Sequence, residues 1–132
     1  MQHIYSIQII EGMGRGIIAE RNIKQGEIIS DCEILVLSPS DTARVNETDL
    51  KCYTFIFDKN TEQDCLVLGD GEIFNHSDDA NVLYNLIEWN NRKIMRFQAS
   101  KDIKKDSQLL IDYRTDVEGL SGILEKYTTN LI

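Results

Sequence analysis

Three short stretches carry the residue types that do chemistry. Phe74-Asn75-His76-Ser77-Asp78-Asp79-Ala80-Asn81 sets amide, imidazole, hydroxyl and carboxylate groups between apolar segments, a density of side chains able to bond backbone or ligand. Gly12-Met13-Gly14-Arg15-Gly16 alternates glycines, which lets a chain turn sharply and approach a ligand closely. Between two strands the same pattern also serves as a plain turn. Gln108-Leu109-Leu110-Ile111-Asp112-Tyr113 is an apolar run that ends in a polar pair. That ending puts the phenol of Tyr113 at the rim of a pocket or, as is common at strand ends, packs its ring and leaves the hydroxyl in solvent. His76 beside Asp78 and Asp79 is a fragment of a metal-ligand set, but the other histidine is His3 and the cysteines are scattered. The spacing a metal centre needs is missing, and no metal is expected. Asn75-His76-Ser77 and Asn46-Glu47-Thr48 fit the glycosylation pattern, which counts as accidental without a secretory signal.

Short β-type runs must position these stretches. They span 3–10, 16–20, 27–37, 53–57, 65–68, 81–88, 94–98 and 108–112, which makes the protein mainly β. Between them stand turn formers: Gly12-Met13-Gly14, Lys24-Gln25-Gly26, Asp58-Lys59-Asn60, Asp70-Gly71 and Asn90-Asn91, the last reading as a hairpin. The polar segment 38–51 holds the one proline and suggests a loop with a helical turn, and 120–127 suggests a short helix. The sequence offers no linker, low-complexity tract or internal repeat. It also lacks the βαβ alternation and GxGxxG fingerprint of a Rossmann-type cofactor site.

At 132 residues and 42% hydrophobic content the chain suits one domain with one modest core. No run approaches the roughly 18 apolar residues that span a bilayer, and Met1-Gln2-His3-Ile4-Tyr5 is not a secretory leader. The expectation is an intracellular, cytoplasmic protein without membrane contact. Cys32, Cys52 and Cys65 form neither a disulfide framework nor a CxxC-type zinc site, and are read as reduced, mostly buried thiols. A net charge of −8 and a pI near 4.7 argue against direct nucleic-acid binding, which needs a basic surface. They suit a basic protein or peptide, although an acidic surface also simply keeps a protein in solution.

Taken in order, the three stretches resemble the SET domain of protein lysine methyltransferases over about 5–113. Gly14-Arg15-Gly16-Ile17-Ile18-Ala19 through Ile23-Lys24-Gln25-Gly26-Glu27-Ile28-Ile29 is similar to its opening glycine motif. Phe74-Asn75-His76-Ser77 with Asn81 resembles the central asparagine-histidine motif, and Ala99-Ser100-Lys101-Asp102-Ile103 with Leu109–Tyr113 the closing region. The likeness is nearest to the short, minimal SET proteins of viruses and bacteria, which lack cysteine-rich flanking modules. It implies a mainly β SET-domain fold of several small sheets, with little helix and a C-terminal pseudoknot that brings Asn75-His76 beside Tyr113. One SET domain over 1–132 follows, with 114–132 as a tail covering the cofactor and Tyr127 stacking on its adenine.

The resemblance further implies S-adenosylmethionine as cofactor, S-adenosylhomocysteine as its product, and transfer of a methyl group to the side-chain amine of a lysine. On the same ground Met13, Gly14, Asn75, His76 and Tyr113 hold the cofactor, Tyr113 and Tyr84 serve catalysis, and Tyr53, Tyr84 and Ile111 line the lysine channel. Tyr84 and Tyr53 alternate with apolar neighbours, so core packing is the competing role. Relatives often carry an aromatic residue on the second strand and before the closing Asp-Tyr; here stand Asp31-Cys32-Glu33 and Ile111, which leaves the methylation degree open. Ala80 replaces a usual proline. The expected substrate is a histone-like, nucleoid or ribosomal protein, which would extend the location to nucleoid or nucleus, and a homodimer is one way to complete the substrate groove. The alternative is a non-catalytic SET-fold module that binds a basic peptide.

Overall fold

The computed structural model describes residues 3–113. The expected tail over the cofactor, its helix at 120–127 and the stacking of Tyr127 lie outside the described residues. Among the described residues nine strands follow in chain order: β1 Tyr5–Ile10, β2 Gly14–Ala19, β3 Ile28–Val36, β4 Thr54–Asp58, β5 Gln63–Val67, β6 Asn75–His76, β7 Val82–Trp89, β8 Arg92–Ala99 and β9 Gln108–Ile111. The mainly β expectation holds. No described helix is long and apolar enough to cross a membrane.

The chain falls into two compact units, one of residues 3–31, 73–84 and 96–113 and one of 32–72 and 85–95 among those described. In the first, a four-stranded sheet runs β1-β2-β9-β6. Its hairpin β1–β2 pairs Tyr5 with Ala19 through Ile10 with Gly14, and the connecting turn sets Gly12 and Gly14 at φ 80° and 79°, where a side chain would be strained. The core joins inward residues of β2 and β9 to Phe74, Tyr84 of β7 and Phe97 of β8. Ile17, Phe97, Leu109 and Ile111 are fully buried, with Phe74 and Tyr84 nearly so. Phe74 stacks on Phe97 at 4.8 Å between ring centroids, and Tyr84 lies 5.9 Å from the same ring. Burying each such side chain contributes roughly 1.5–3 kcal/mol.

An internal repeat, not expected from the sequence, organises this unit. Residues 17–30 and 97–110 follow one course of strand, single bridge, turn and strand. The two copies grip each other reciprocally. Ile23 and Ile103 exchange both backbone hydrogen bonds at 2.8 Å, Gly26 N donates to Ala99 O as Asp106 N donates to Ala19 O, and Ala99 N donates to Glu27 O as Ala19 N donates to Ser107 O. Side chains repeat the exchange: Asp102 Oδ1 accepts from Gln25 N, and Asn22 Oδ1 from Lys105 N. The sequence hides the repeat because its partners, Ala19/Ala99, Ile23/Ile103 and Lys24/Lys104, are too few to stand out, whereas backbone bonding needs no particular side chain.

The second unit holds β4 and β5 whole and parts of β3, β7 and β8, strands of a sheet ordered β4-β5-β3-β8-β7. Leu35 faces Leu66 and Val36 faces Cys65 across β3 and β5. The hairpin expected at Asn90-Asn91 forms, both residues taking positive φ of 53° and 62°, as a tight two-residue connection requires. The segment read as a loop with one helical turn is more regular: α1 spans Pro39–Val45, and a 3-10 turn spans Asp49–Tyr53. Ser38 caps α1 through Asp41 N, with Pro39 pre-set for the first turn, and Thr42 Oγ1 accepts from Asp64 N to fasten α1 to β5. Tyr53 therefore ends a 3-10 turn and is not on a strand. Cys32 and Cys65 are buried and Cys52 exposed; burial pushes the Cys65 thiol up to about 12, so it is inert at neutral pH.

Candidate functional site

The central motif becomes β6, a two-residue strand that sequence patterning did not separate from its loop. It runs parallel to β9, Asn75 opposite Leu110 and His76 opposite Ile111. Two residues are too short to hold a strand by pattern, and Asn81 supplies the missing pairing. Its Nδ2 donates to Gln108 O at 2.9 Å and its Oδ1 accepts from Leu110 N at 2.8 Å, so the side chain completes the ladder along β9. Ser77 N and Asn81 N add bonds to Ile111 O and Leu110 O.

This pairing brings the end of β9 to the central motif. Tyr113 N donates to His76 Nδ1 at 3.0 Å, and the two rings lie 5.1 Å apart. A nitrogen that accepts leaves the other to carry the proton, so His76 Nε2 donates to Asp78 Oδ1, 3.0 Å away. The imidazole is thereby fixed in tautomer and plane. The Tyr113 hydroxyl does not point freely to solvent: it donates to Phe74 O, although half the residue is exposed. Tyr84 is buried, its hydroxyl donating to Asp112 O at 3.1 Å, so its core-packing role and its polar contact with the closing segment coexist. Ile111 is fully buried.

The glycine loop reaches the same motif. Asn75 Nδ2 donates to Arg15 O at 3.0 Å and to Gln108 Oε1 at 2.8 Å, and Gln108 Nε2 approaches Met13 Sδ at 3.7 Å. A Cβ on Gly16 would stand 2.6 Å from Ile10 Cγ1, 2.8 Å from Gln108 Oε1 and 3.0 Å from Asn75 Nδ2, so any side chain there would force these groups to shift. At Gly12 and Gly14 a Cβ would meet nothing within 4 Å among the described residues.

Of the residues singled out from sequence, Met13, Gly14, Asn75, His76, Tyr84, Ile111 and Tyr113 belong to the first unit, and Tyr53 belongs to the second, 40% exposed. Sequence reasoning missed Asp78, which fixes His76, and Gln108, which bridges Asn75 and Met13. Asp78 had a signal, its spacing of two from the histidine; Gln108 had none beyond opening a strand. Among the described residues no group of His, Cys, Asp and Glu is arranged to hold a metal.

Comparison with known proteins identifies the family. The SET domain family matches residues 14–114. N-lysine methyltransferase KMT5A of Xenopus tropicalis is 27% identical over 117 residues, which cover 81% of this chain and 35% of that protein. N-lysine methyltransferase KMT5A-A of Xenopus laevis gives the same identity and coverage. The chain thus spans about a third of the length of the curated relatives it matches. Among solved structures, a candidate histone methyltransferase of Plasmodium falciparum superposes with TM-score 0.65 at 27% identity, covering 86% of this chain and 95% of that one. A Polycomb repressive complex 2 bound to S-adenosylmethionine gives TM-score 0.68 at 21% identity, over 96% of this chain and 17% of that one.

Proposed function

Because this chain belongs to the SET domain family, we propose that it is a protein-lysine N-methyltransferase, moving a methyl group from S-adenosylmethionine to the side-chain amine of a lysine. The observation that carries this reading is the assembly of Asn75, His76 and Tyr113, 38 residues apart in sequence, around one pair of strands. The relatives named N-lysine methyltransferase support it.

The residues present fit the cofactor. Asn75 spends both amide protons on protein acceptors, which leaves Oδ1 to accept from an ammonium. The open side of Gly12 and Gly14 gives the methionine part room against the backbone, and β6 is the edge strand of its sheet, so its outer backbone groups suit the ring edge of an adenine. Met13, Gly14, Asn75, His76 and Tyr113 would hold the cofactor, whose sulfonium supplies an electrophilic methyl when bound.

The chain's own part is positioning. Tyr113, tied through its amide to His76 and through its hydroxyl to Phe74 O, offers a phenol oxygen in a fixed place to align the incoming amine. Such orientation is worth roughly 7–11 kcal/mol of barrier when complete. The lysine must attack as the neutral amine. A wall of buried Tyr84 and Ile111 desolvates it and lowers its pKa from about 10.4, so no separate base is needed. The net charge of −8 favours a basic protein substrate such as a histone-like, nucleoid or ribosomal protein. An intracellular location, a single SET domain over 1–132 with its tail over the cofactor, and a homodimer completing the groove belong to the same reading.

The test is transfer of a labelled methyl group from S-adenosylmethionine to a mixture of basic proteins, read by mass spectrometry. Lysine label is expected with the wild-type chain, and Tyr113→Phe should lower turnover by about a hundredfold or more, as misplacement of a reacting group does. Cofactor binding without transfer to any basic protein would favour the non-catalytic module, and transfer untouched by Tyr113→Phe would defeat the role given to the phenol.

A further inference from the structure

Four groups in the first unit form a single hydrogen-bonded line whose direction is forced at both ends. Arg15 O is a carbonyl and can only accept, so the Asn75 side chain must present Nδ2 to it, at 3.0 Å. At the other end Met13 Sδ can only accept, so Gln108 turns Nε2 toward it, at 3.7 Å. The two amides then meet with Gln108 Oε1 accepting the second proton of Asn75 Nδ2 at 2.8 Å. Glutamine suits this place because it both donates and accepts: a carboxylate could accept from Asn75 but not donate to the sulfur, and an aliphatic side chain could do neither.

We propose that Gln108 is the positioning residue for the cofactor, holding the Asn75 amide plane so that Asn75 Oδ1 faces the ligand. This rests on the methyltransferase reading above. With the Arg15 bond alone, the Asn75 amide can pivot about that bond, since its terminal torsion has a broad well. The second bond, to Gln108, fixes the plane. Gly16 makes the arrangement possible, because any Cβ there would stand 2.8 Å from Gln108 Oε1 and 3.0 Å from Asn75 Nδ2. Gln108 is itself set by the sheet, its backbone opposite Ile18 on β2 and its carbonyl held by Asn81 Nδ2. It therefore acts through Asn75 and not on the reacting atoms.

The experiment measures S-adenosylmethionine and S-adenosylhomocysteine affinity by calorimetry on the full chain, together with kcat at saturating cofactor and the exchange of the Asn75 side-chain protons by NMR in the ligand-free protein. Gln108→Leu is expected to weaken both ligands about tenfold, the effect of one lost hydrogen bond, to leave kcat within about threefold, and to speed Asn75 proton exchange. Gln108→Glu, which keeps the acceptor, should stay within about threefold of wild type in affinity. In the Asn75→Ala background Gln108→Leu should cost nothing further. If the leucine variant does not fold, Gln108→Met carries the same comparison. Unchanged affinity and unchanged Asn75 exchange in the folded leucine variant, or losses that add in the double variant, overturn the proposal while leaving the methyltransferase reading intact. A wild-type chain that binds neither ligand overturns both.

Discussion

Residues 17–30 and 97–110 share a backbone course and a set of mutual hydrogen bonds, yet they present different side chains at equivalent places. The first copy begins beside Gly16, whose missing side chain lets Asn75 and Gln108 meet. The equivalent residue of the second copy is Arg96, which forms a two-pronged ion pair with Asp31 at 2.8 and 2.9 Å. The strand leaving the first copy, β3, continues into the second unit; the strand leaving the second, β9, enters between β2 and β6 and ends at Tyr113. Even the turns differ in chemistry and not in shape, with Gly26 at φ 87° and Asp106 at φ 72°. A frame built from backbone bonds can be used twice, and the residues in and beside each copy set the two apart: Gly16 precedes the first, while Gln108 lies in the second and Tyr113 follows it.

The largest expected effect tests the asymmetry. Gly16→Ala pushes a methyl group into three atoms at 2.6–3.0 Å, and overpacking of this kind costs about 1–3 kcal/mol. It should lower the unfolding midpoint in denaturant and weaken cofactor binding together. A variant of wild-type stability and wild-type affinity would show that the close approach at Gly16 is not required. A smaller effect tests the symmetry. Asn22→Ala and Asp102→Ala each remove one side-chain bond to the partner copy's turn, so each should cost about 0.5–1.5 kcal/mol in chemical unfolding, and by similar amounts. A cost confined to one of them would mean that the copies do not share the load.

The smallest effects lie in pH dependence, and their signs are opposite. In the first copy Glu27 is held below its ordinary carboxyl range, mainly by its bond to Arg21 at 2.5 Å; the second copy has Ser107 there. A lowered folded-state pKa stabilises above the unfolded value of 4.5, and that stability is lost as pH falls through the folded value. Glu27→Ser should therefore lower stability slightly at neutral pH, leave it unchanged in acid, and so flatten the acid side of the profile. Glu72, in the second unit, is pushed up to about 7 by burial. Its Oε1 accepts from Val67 N while its buried Oε2 has no partner among the described residues. Its proton is bound more tightly when folded, so stability declines as pH rises from about 4.5 to about 7. Thermal melts of Glu72→Gln across that window should lack the decline; an unchanged slope would mean that Glu72 ionises freely.

Much of the frame was legible in the chain. The strand runs, the Asn90-Asn91 hairpin and the glycine turn follow from period-two patterning and from residues that tolerate positive φ, because those preferences act within a few neighbours. Asn75, His76 and Tyr113 stood out by type and order. What escaped depends on groups that meet from far along the sequence. Tyr53 followed an apolar alternation but ends a 3-10 turn, since Thr48 caps that turn through Leu50 N. β6 is two residues long and exists because β9 and the Asn81 side chain pair with it. The repeat is carried by backbone bonds, which leave almost no trace in residue identity. The sequence by itself determined the strands, the turns and which side chains were available for chemistry, because local sterics and burial set those. Only the tertiary structure decided that Tyr113 meets His76, that Gln108 bonds Asn75, and that both copies of a repeated frame border the candidate site, because contacts between residues 33–95 apart are fixed by how the strands pair and not by any short stretch of the chain.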